Sequence, residues 1–293
     1  MGMLMETKQP MDVAAWLEQH GDAVVAVMYP DGDAPDDFDV VALVKREDRL
    51  VFKLSSHDRD ALVKAFCVDP EEKIDRTDRE LLVQLALRGT NLVPDIRNYD
   101  KANRWVLSEW ISGDMLERLI TAENAVDYAY KLGAWFAEYT KIMETHGGTK
   151  PSDWYTYLQY YSRVMARLDY SDHEEFLSSM PIKTRLIAKN DAYLGNFMVS
   201  DNGRMVGIDF EKAQLKPYGW DILVTARILL RKFPNKMMEL TEALVNGWGQ
   251  GTDCMDMDEF LKLTRIFAAS SAFIVEEDYA LQRAEMQRAE GNA

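Results

Sequence analysis

Residues 186–213 read LIAKNDAYLGNFMVSDNGRMVGIDFEKA, and three polar side chains in this stretch decide how the rest of the chain is read. An apolar run, Leu186 to Ala188, opens it, and Asp191 follows. Asn196 stands just before Phe197-Met198-Val199, and Asp209 stands just after Met205-Val206-Gly207-Ile208. Between the two runs lies Asn202-Gly203, a pair that predicts a two-residue hairpin turn. With those two residues at the centre of the turn, Asn196 and Asp209 face each other across the open end of the ribbon, their Cβ atoms about 5 Å apart.

Such a pairing has chemical meaning. A carboxamide oxygen and a carboxylate at that spacing suit one hard cation, and Mg2+ asks for few protein oxygens because water and phosphate complete its shell. Asp191, five residues before Asn196, is expected to project into the same space. Turn and cap duty is common for Asp and Asn, but an acid between Ile208 and Phe210 at an apolar strand end requires a partner.

Working outward, residues 11–22 (MDVAAWLEQHGD) read as a short helix closed by Gly21. Residues 23–30 (AVVAVMYP), 39–48 (DVVALVKRED) and 49–56 (RLVFKLSS) are Val-rich runs broken by Asp, Gly and Pro, and read as an antiparallel meander. Residues 75–89 read as a helix capped by Thr77 or Asp78 and stopped by Gly89. Strands follow at 91–100 and 104–111. Beyond that the pattern is helical: 122–148, the aromatic-rich stretch 154–177, 220–233 and 258 onward. A small, mostly β half thus precedes a larger helical half, with expected domains of 1–108 and 109–293, an α+β arrangement.

The 293 residues, 47% hydrophobic and 28% charged, are a core-forming composition. No apolar stretch is long enough to span a membrane. Residues 1–12 lack the basic and apolar regions of a secretory signal. Two lone cysteines, Cys67 and Cys254, argue against a disulfide framework and fit a cytoplasmic setting. The net charge of −15 is spread over both halves, which argues against nucleic acid as a partner, since a phosphate backbone needs a basic stripe, and is compatible with a cationic small molecule. The sequence leaves the oligomeric state open.

Asp191-x4-Asn196, a hairpin and then Ile208-Asp209-Phe210-Glu211 resemble the catalytic and metal segments of the protein-kinase-like fold. The closer resemblance is to the aminoglycoside phosphotransferase and choline kinase branch. Asp221 in KPYGWDILVTARILL is similar to the Asp that opens the next helix there. Only 11 residues separate Asp209 from Asp221, without the longer peptide-docking segment of protein kinases, which favours a small-molecule acceptor. These motifs cover residues 186–222.

The resemblance implies a bilobal α+β fold with a small antiparallel-sheet lobe carrying one helix and a larger helical lobe. It implies ATP as phosphoryl donor, Mg2+, and an alcohol group on a small molecule as acceptor. Carried over residue by residue, Asp191 is the base, Asn196 and Asp209 hold the metal, and Lys53 on the third strand holds the phosphates. Glu80 is the partner of that lysine, with Glu71 and Glu72 as competitors. Glu109 to Ile111 offer backbone groups to adenine. Asp221 holds the catalytic loop's backbone, caps its helix, or both. Lys189 stands where the branch has His and is expected near the base or on phosphate. No glycine-rich loop is visible: the connection taken to follow the first strand, residues 31–39, holds one glycine and five aspartates. A sugar or lipopolysaccharide-core kinase of the same superfold, and a nucleotide-binding regulator without catalysis, are the alternatives. Trp154, Tyr155, Tyr157, Tyr160 and Tyr161 are expected either to pack helices or to line an acceptor pocket.

Overall fold

A computed structural model describes residues 12–32, 38–56, 59–67, 75–146, 151–165, 171–180, 183–249, 258–264 and 266. Cys254, Glu71, Glu72, the side chains of Tyr160 and Tyr161, and the helical stretch expected beyond 266 lie outside the described residues. The chain falls into two compact units, Met1–Leu119 with Gly195–Ala213, and Ile120–Leu194 with Gln214–Ala293. The ribbon 195–213 therefore groups with the first unit, whereas the expected division assigned it to the second.

The first unit opens with α1 (Val13–Met28), whose N-cap Asp12 accepts from the N–H groups of Ala14 and Ala15. This corrects the expected short helix and first strand. Val13, Trp16, Val24 and Met28 are buried, so the helical period runs straight through Gly21. A mid-helix glycine costs only about 1 kcal/mol, less than the burial gained by continuing.

The meander is β1 (Asp39–Lys45), β2 (Arg49–Ser55) and β3 (Asp60–Phe66), followed by α2 (Arg76–Ala86), β4 (Ile96–Asp100) and β5 (Trp105–Glu109). The expected order of three strands, helix and two strands holds, but the third strand is residues 60–66. The five strands form one antiparallel sheet in the order β1-β2-β3-β5-β4. Alternation sets its faces. Leu50, Phe52, Leu54, Ala61, Val63, Ala65, Trp105 and Leu107 pack with α1, and Trp16 meets Phe52 edge-on at 5.4 Å between ring centroids. The intervening residues, Arg49, Val51, Lys53, Leu62 and Lys64, lie on the other face. There α2 packs, its Leu81 against Ile96 and Val106. The cap of α2 is Asp75, which accepts from Thr77 N–H, not Thr77 or Asp78. The short β6 (Gly113–Met115) and α3 (Leu116–Leu119) close this part.

The second unit continues with α4 (Ala125–Met143), β7 (Pro151–Ser152), α5 (Trp154–Met165), α6 (Glu174–Ser179), β8 (Lys183–Thr184) and β9 (Leu186–Ala188). The chain then returns to the first unit as β10 (Phe197–Ser200) and β11 (Met205–Gly207), a ribbon that extends β6. It re-enters the second as β12 (Gln214–Lys216), α7 (Trp220–Lys232) and α8 (Met237–Trp248). Trp154 and Tyr157 are buried and pack with Trp220, ring centroids 6.2 and 5.5 Å away, which is the helix-packing outcome for these aromatics. Among the described residues no helix is long and apolar enough to cross a membrane.

α4 and α8 touch backbone to backbone. A Cβ at Gly133 would stand 2.1 Å from the Leu244 carbonyl oxygen, and one at Gly247 2.2 Å from that of Tyr130. Gly133→Ala is expected to lower stability by about 3 kcal/mol, because a rigid backbone must give way. Gly21→Ala is expected to raise it by up to about 1 kcal/mol, since its Cβ would meet nothing nearer than 3.9 Å. Denaturant unfolding of the two variants checks both signs.

Candidate functional site

The ribbon carries the first correction of the site. Phe197 pairs with Gly207, Met198 with Val206 and Val199 with Met205. The turn is a three-residue loop, Asp201-Asn202-Gly203, with Gly203 at φ +82° and its N–H donating to Ser200 O at 2.7 Å. The register is therefore one residue away from the two-residue turn. Asn196 lies opposite Ile208, whose N–H donates to the Asn196 carbonyl at 3.0 Å. Asp209 is not its cross-strand partner. Instead Asp209 leaves the strand in the left-handed region, φ +62°, an uncommon conformation for a non-glycine residue.

That bend aims the carboxylate at β3. Asp209 Oδ1 is 2.5 Å from Lys64 Nζ, and Glu80 Oε2 is 3.2 Å from the same ammonium. Glu80 is 2% exposed and also accepts the Phe210 N–H at 2.7 Å and Gln84 Nε2 at 2.7 Å. Glu211 Oε1 is 2.6 Å from Arg49 Nη1, and Asp209 Oδ2 is 3.5 Å from it. Burial disfavours the charged Lys64, but Glu80, Asp209 and Glu211 outweigh that and hold its pKa above the ordinary value. Burial likewise raises Glu80, opposed by Lys64.

Lys53 is the second correction. The structure does not bring it to Glu80: its ammonium is 2.6 Å from Asp60 and 4.8 Å from the Trp110 ring centroid. The lysine that meets Glu80 is Lys64, on the true third strand.

These groups edge a cavity of about 280 Å³ within the first unit. Arg49, Lys64, Glu80, Asn196 and Asp209 supply its polar lining, and Val51, Leu62, Val106, Met198 and Ile208 are among its apolar walls. Glu109 and Ile111 line it as well. The Glu109 N–H, however, already donates to Asp95 O at 2.8 Å, and its carboxylate takes Arg204 at 3.2 Å.

Among the described residues no three or more His, Cys, Asp or Glu form a metal cage. The donor set still fits a hard cation. Three carboxylates face two cations, and Glu211 Oε2 is buried without a hydrogen-bond donor. Asn196 adds a carboxamide on the cavity wall that Asp209, one of the three, also lines.

The second unit holds the remaining expected residues. Asp191 is 7% exposed, in the loop after β9. Asp221 accepts the N–H groups of Lys189 and Asn190, each at 2.8 Å, and so holds that loop's backbone. The N-cap of α7 is Gly219, so Asp221 does not serve as the cap. Lys189, expected near the base or on phosphate, is fully buried, and its charge favours the Asp221 carboxylate. Tyr139 donates to Ile187 O at 2.9 Å, bracing the strand before the loop.

Burial raises Asp221 from 3.8 to about 6, against the pull of its two backbone donors and Lys189. An acid raised in the folded state contributes stability that is complete below its unfolded value and is lost as pH rises through the folded one. The stability of the wild type relative to Asp221→Asn should therefore fall by up to about 3 kcal/mol between pH 4 and pH 7. Urea titrations across that range check the direction; a flat difference contradicts it.

Sequence reading missed Lys64, Arg49 and Glu211. Lys64 was legible as the polar position of the alternating run DALVKAF, and Glu211 lay within the IDFE motif itself.

No protein-family profile matches the sequence. No curated protein sequence matches it either. Solved structures do. An ethanolamine kinase from Plasmodium vivax superimposes with a TM-score of 0.57 at 13% identity, covering 89% of this chain and 81% of that one. A mutant of aminoglycoside 2′-phosphotransferase-IIIa, in complex with GDP, gives 0.52 at 14% identity, covering 94% and 97%. The choline kinase LicA from Streptococcus pneumoniae gives 0.50 at 15% identity, covering 89% and 92%.

Proposed function

We propose that this chain, which has the fold of the ethanolamine and choline kinases and the aminoglycoside phosphotransferases, is a small-molecule kinase: it transfers the γ-phosphate of ATP to a hydroxyl group with the help of Mg2+. The observation that carries the reading is the convergence of Lys64, Glu80 and Asp209 at the polar edge of an apolar slot. A nucleotide needs that combination, an apolar sandwich for its base and fixed cations for its phosphates.

In this reading Val51, Leu62, Val106, Met198 and Ile208 enclose the base, and the backbone of Trp110 and Ile111 meets its edge. Lys64, positioned by Glu80, draws the phosphates. Asn196 and Asp209, with Glu211 beside them, hold Mg2+, which neutralises phosphate charge when bound. Asp191 accepts the proton of the acceptor hydroxyl, and Asp221 keeps its loop in place. Phosphoryl transfer asks for this positioning and charge balance more than for covalent chemistry. The chain's acidity suits a cationic acceptor such as an amino alcohol or an aminoglycoside; a sugar or a lipopolysaccharide-core hydroxyl is the competing class.

The test combines thermal shift with Mg-ATP and Mg-GTP and a turnover screen over amino alcohols, aminoglycosides and sugars. A nucleotide-dependent rise in Tm with one acceptor class phosphorylated supports the reading. Binding without turnover on any acceptor would replace it with a nucleotide-binding regulator, and neither binding nor turnover would end it.

A further inference from the structure

We infer that Arg49 is the residue that reads the nucleotide's phosphates, taking over the task of a glycine-rich loop that this chain lacks. The inference rests on the cavity of the first unit being a nucleotide site.

The turn between β1 and β2 is Arg46-Glu47-Asp48, without a glycine. Two of its backbone groups are engaged: Arg46 N–H donates to Arg49 O at 3.0 Å, and Asp48 O accepts from Cys67 N–H at 2.9 Å. Asp48 is also paired with Arg76. A turn without glycine is poorly suited to wrap its N–H groups around a phosphate, and the carboxylate of Glu47 repels one. A cation must replace them.

Arg49 opens β2 on the cavity face. β2 and β3 pair Val51 with Lys64 and Arg49 with Phe66, so Arg49 stands diagonally beside Lys64. Their charged ends converge on one pair of acids, Asp209 and Glu211. Lys64 is also held by Glu80 at 3.2 Å. Arg49 makes both of its ion pairs through Nη1, and its buried Nε has no hydrogen-bond partner among the described residues. A guanidinium is a planar fork of five donors, suited to gripping phosphate oxygens two at a time. Arg49 rests on the two carboxylates and would exchange them for phosphate oxygens when a nucleotide binds.

The experiment is calorimetric titration with adenosine, ADP and ATP, and their guanosine counterparts, in EDTA and then with Mg2+. It uses the wild type, Arg49→Lys and Arg49→Ala. Arg49→Ala should weaken ATP and ADP binding on the order of 10- to 100-fold in EDTA, the scale of a charge-assisted contact, and leave the nucleoside within about 2-fold. Arg49→Lys should recover only part. Glu211 is 4% exposed, so Arg49→Ala leaves a buried charge. Arg49→Ala combined with Glu211→Gln removes that charge and should show the same loss in EDTA. Equal weakening of adenosine and ATP, or unchanged ATP binding, overturns the inference and leaves a structural ion pair. A wild type that binds no nucleoside or nucleotide of either base overturns the nucleotide reading itself, and this inference with it.

Discussion

Lys64→Met is expected to cost about 3–5 kcal/mol of folding stability and to abolish nucleotide binding, whereas Lys53→Met costs less than about 1 kcal/mol and leaves binding intact. The difference lies in what each lysine leaves behind. Without Lys64, Glu80 keeps, among the described residues, the Phe210 N–H and Gln84 as hydrogen-bond partners in a site it shares with Asp209. A buried carboxylate that loses its cation carries most of its desolvation penalty uncompensated. Lys53 and Asp60 sit at the surface, 22% and 37% exposed, where an ion pair contributes little. The Lys64→Met penalty should shrink at low pH as Glu80 takes a proton. Lys64→Met combined with Glu80→Gln should regain stability without regaining nucleotide. Denaturant unfolding paired with nucleotide titration separates the two effects.

Asp191→Asn is expected to lower turnover by about 10²- to 10⁴-fold, the range of a lost general base, with nucleotide affinity within about 2-fold of wild type. Asn keeps the size of the side chain and its place in the loop, whose neighbours Lys189 and Asn190 remain tied to Asp221. A fall in nucleotide affinity matching the fall in turnover would move Asp191 from proton acceptance to nucleotide binding. Unchanged turnover would mean that the proton goes elsewhere.

The sequence revealed the site better than the strand that serves it. Alternation and turn chemistry mark the strands and the ribbon, and single out Asn196 and Asp209; Glu80 comes from the family resemblance, and the structure brings the three to one cavity. Lys64 escaped because α1 continues through Gly21: counting residues 23–30 as the first strand makes 49–56 the third and leaves 60–66 unread, while the last two strands keep their places. Lys53 and Lys64 occupy equivalent polar positions in neighbouring Val-rich runs, and nothing local separates them; only the reach to Glu80 does. The same miscount made residues 31–39 the turn after the first strand. They run from beyond α1 to Asp39, the first residue of β1, with residues 33–37 outside the described set, so their aspartates do not form the β1–β2 connection. The ribbon failed in the opposite sense. Asn-Gly correctly marked a turn, but Gly203 ended a three-residue loop, and the one-residue slip separated Asn196 from Asp209 along the ladder. The left-handed backbone at Asp209, which alternation cannot foresee, turned its carboxylate to Lys64.

If the cavity of the first unit is a nucleoside triphosphate site centred on Lys64, nucleotide binding must depend on that lysine. Calorimetric titration of the wild type and Lys64→Met, each shown to be folded, with Mg-ATP and Mg-GTP tests it most directly. Saturable 1:1 binding of at least one triphosphate to the wild type, and none to the variant, is the expected result. Equal binding by both proteins, or none by the wild type, would contradict it.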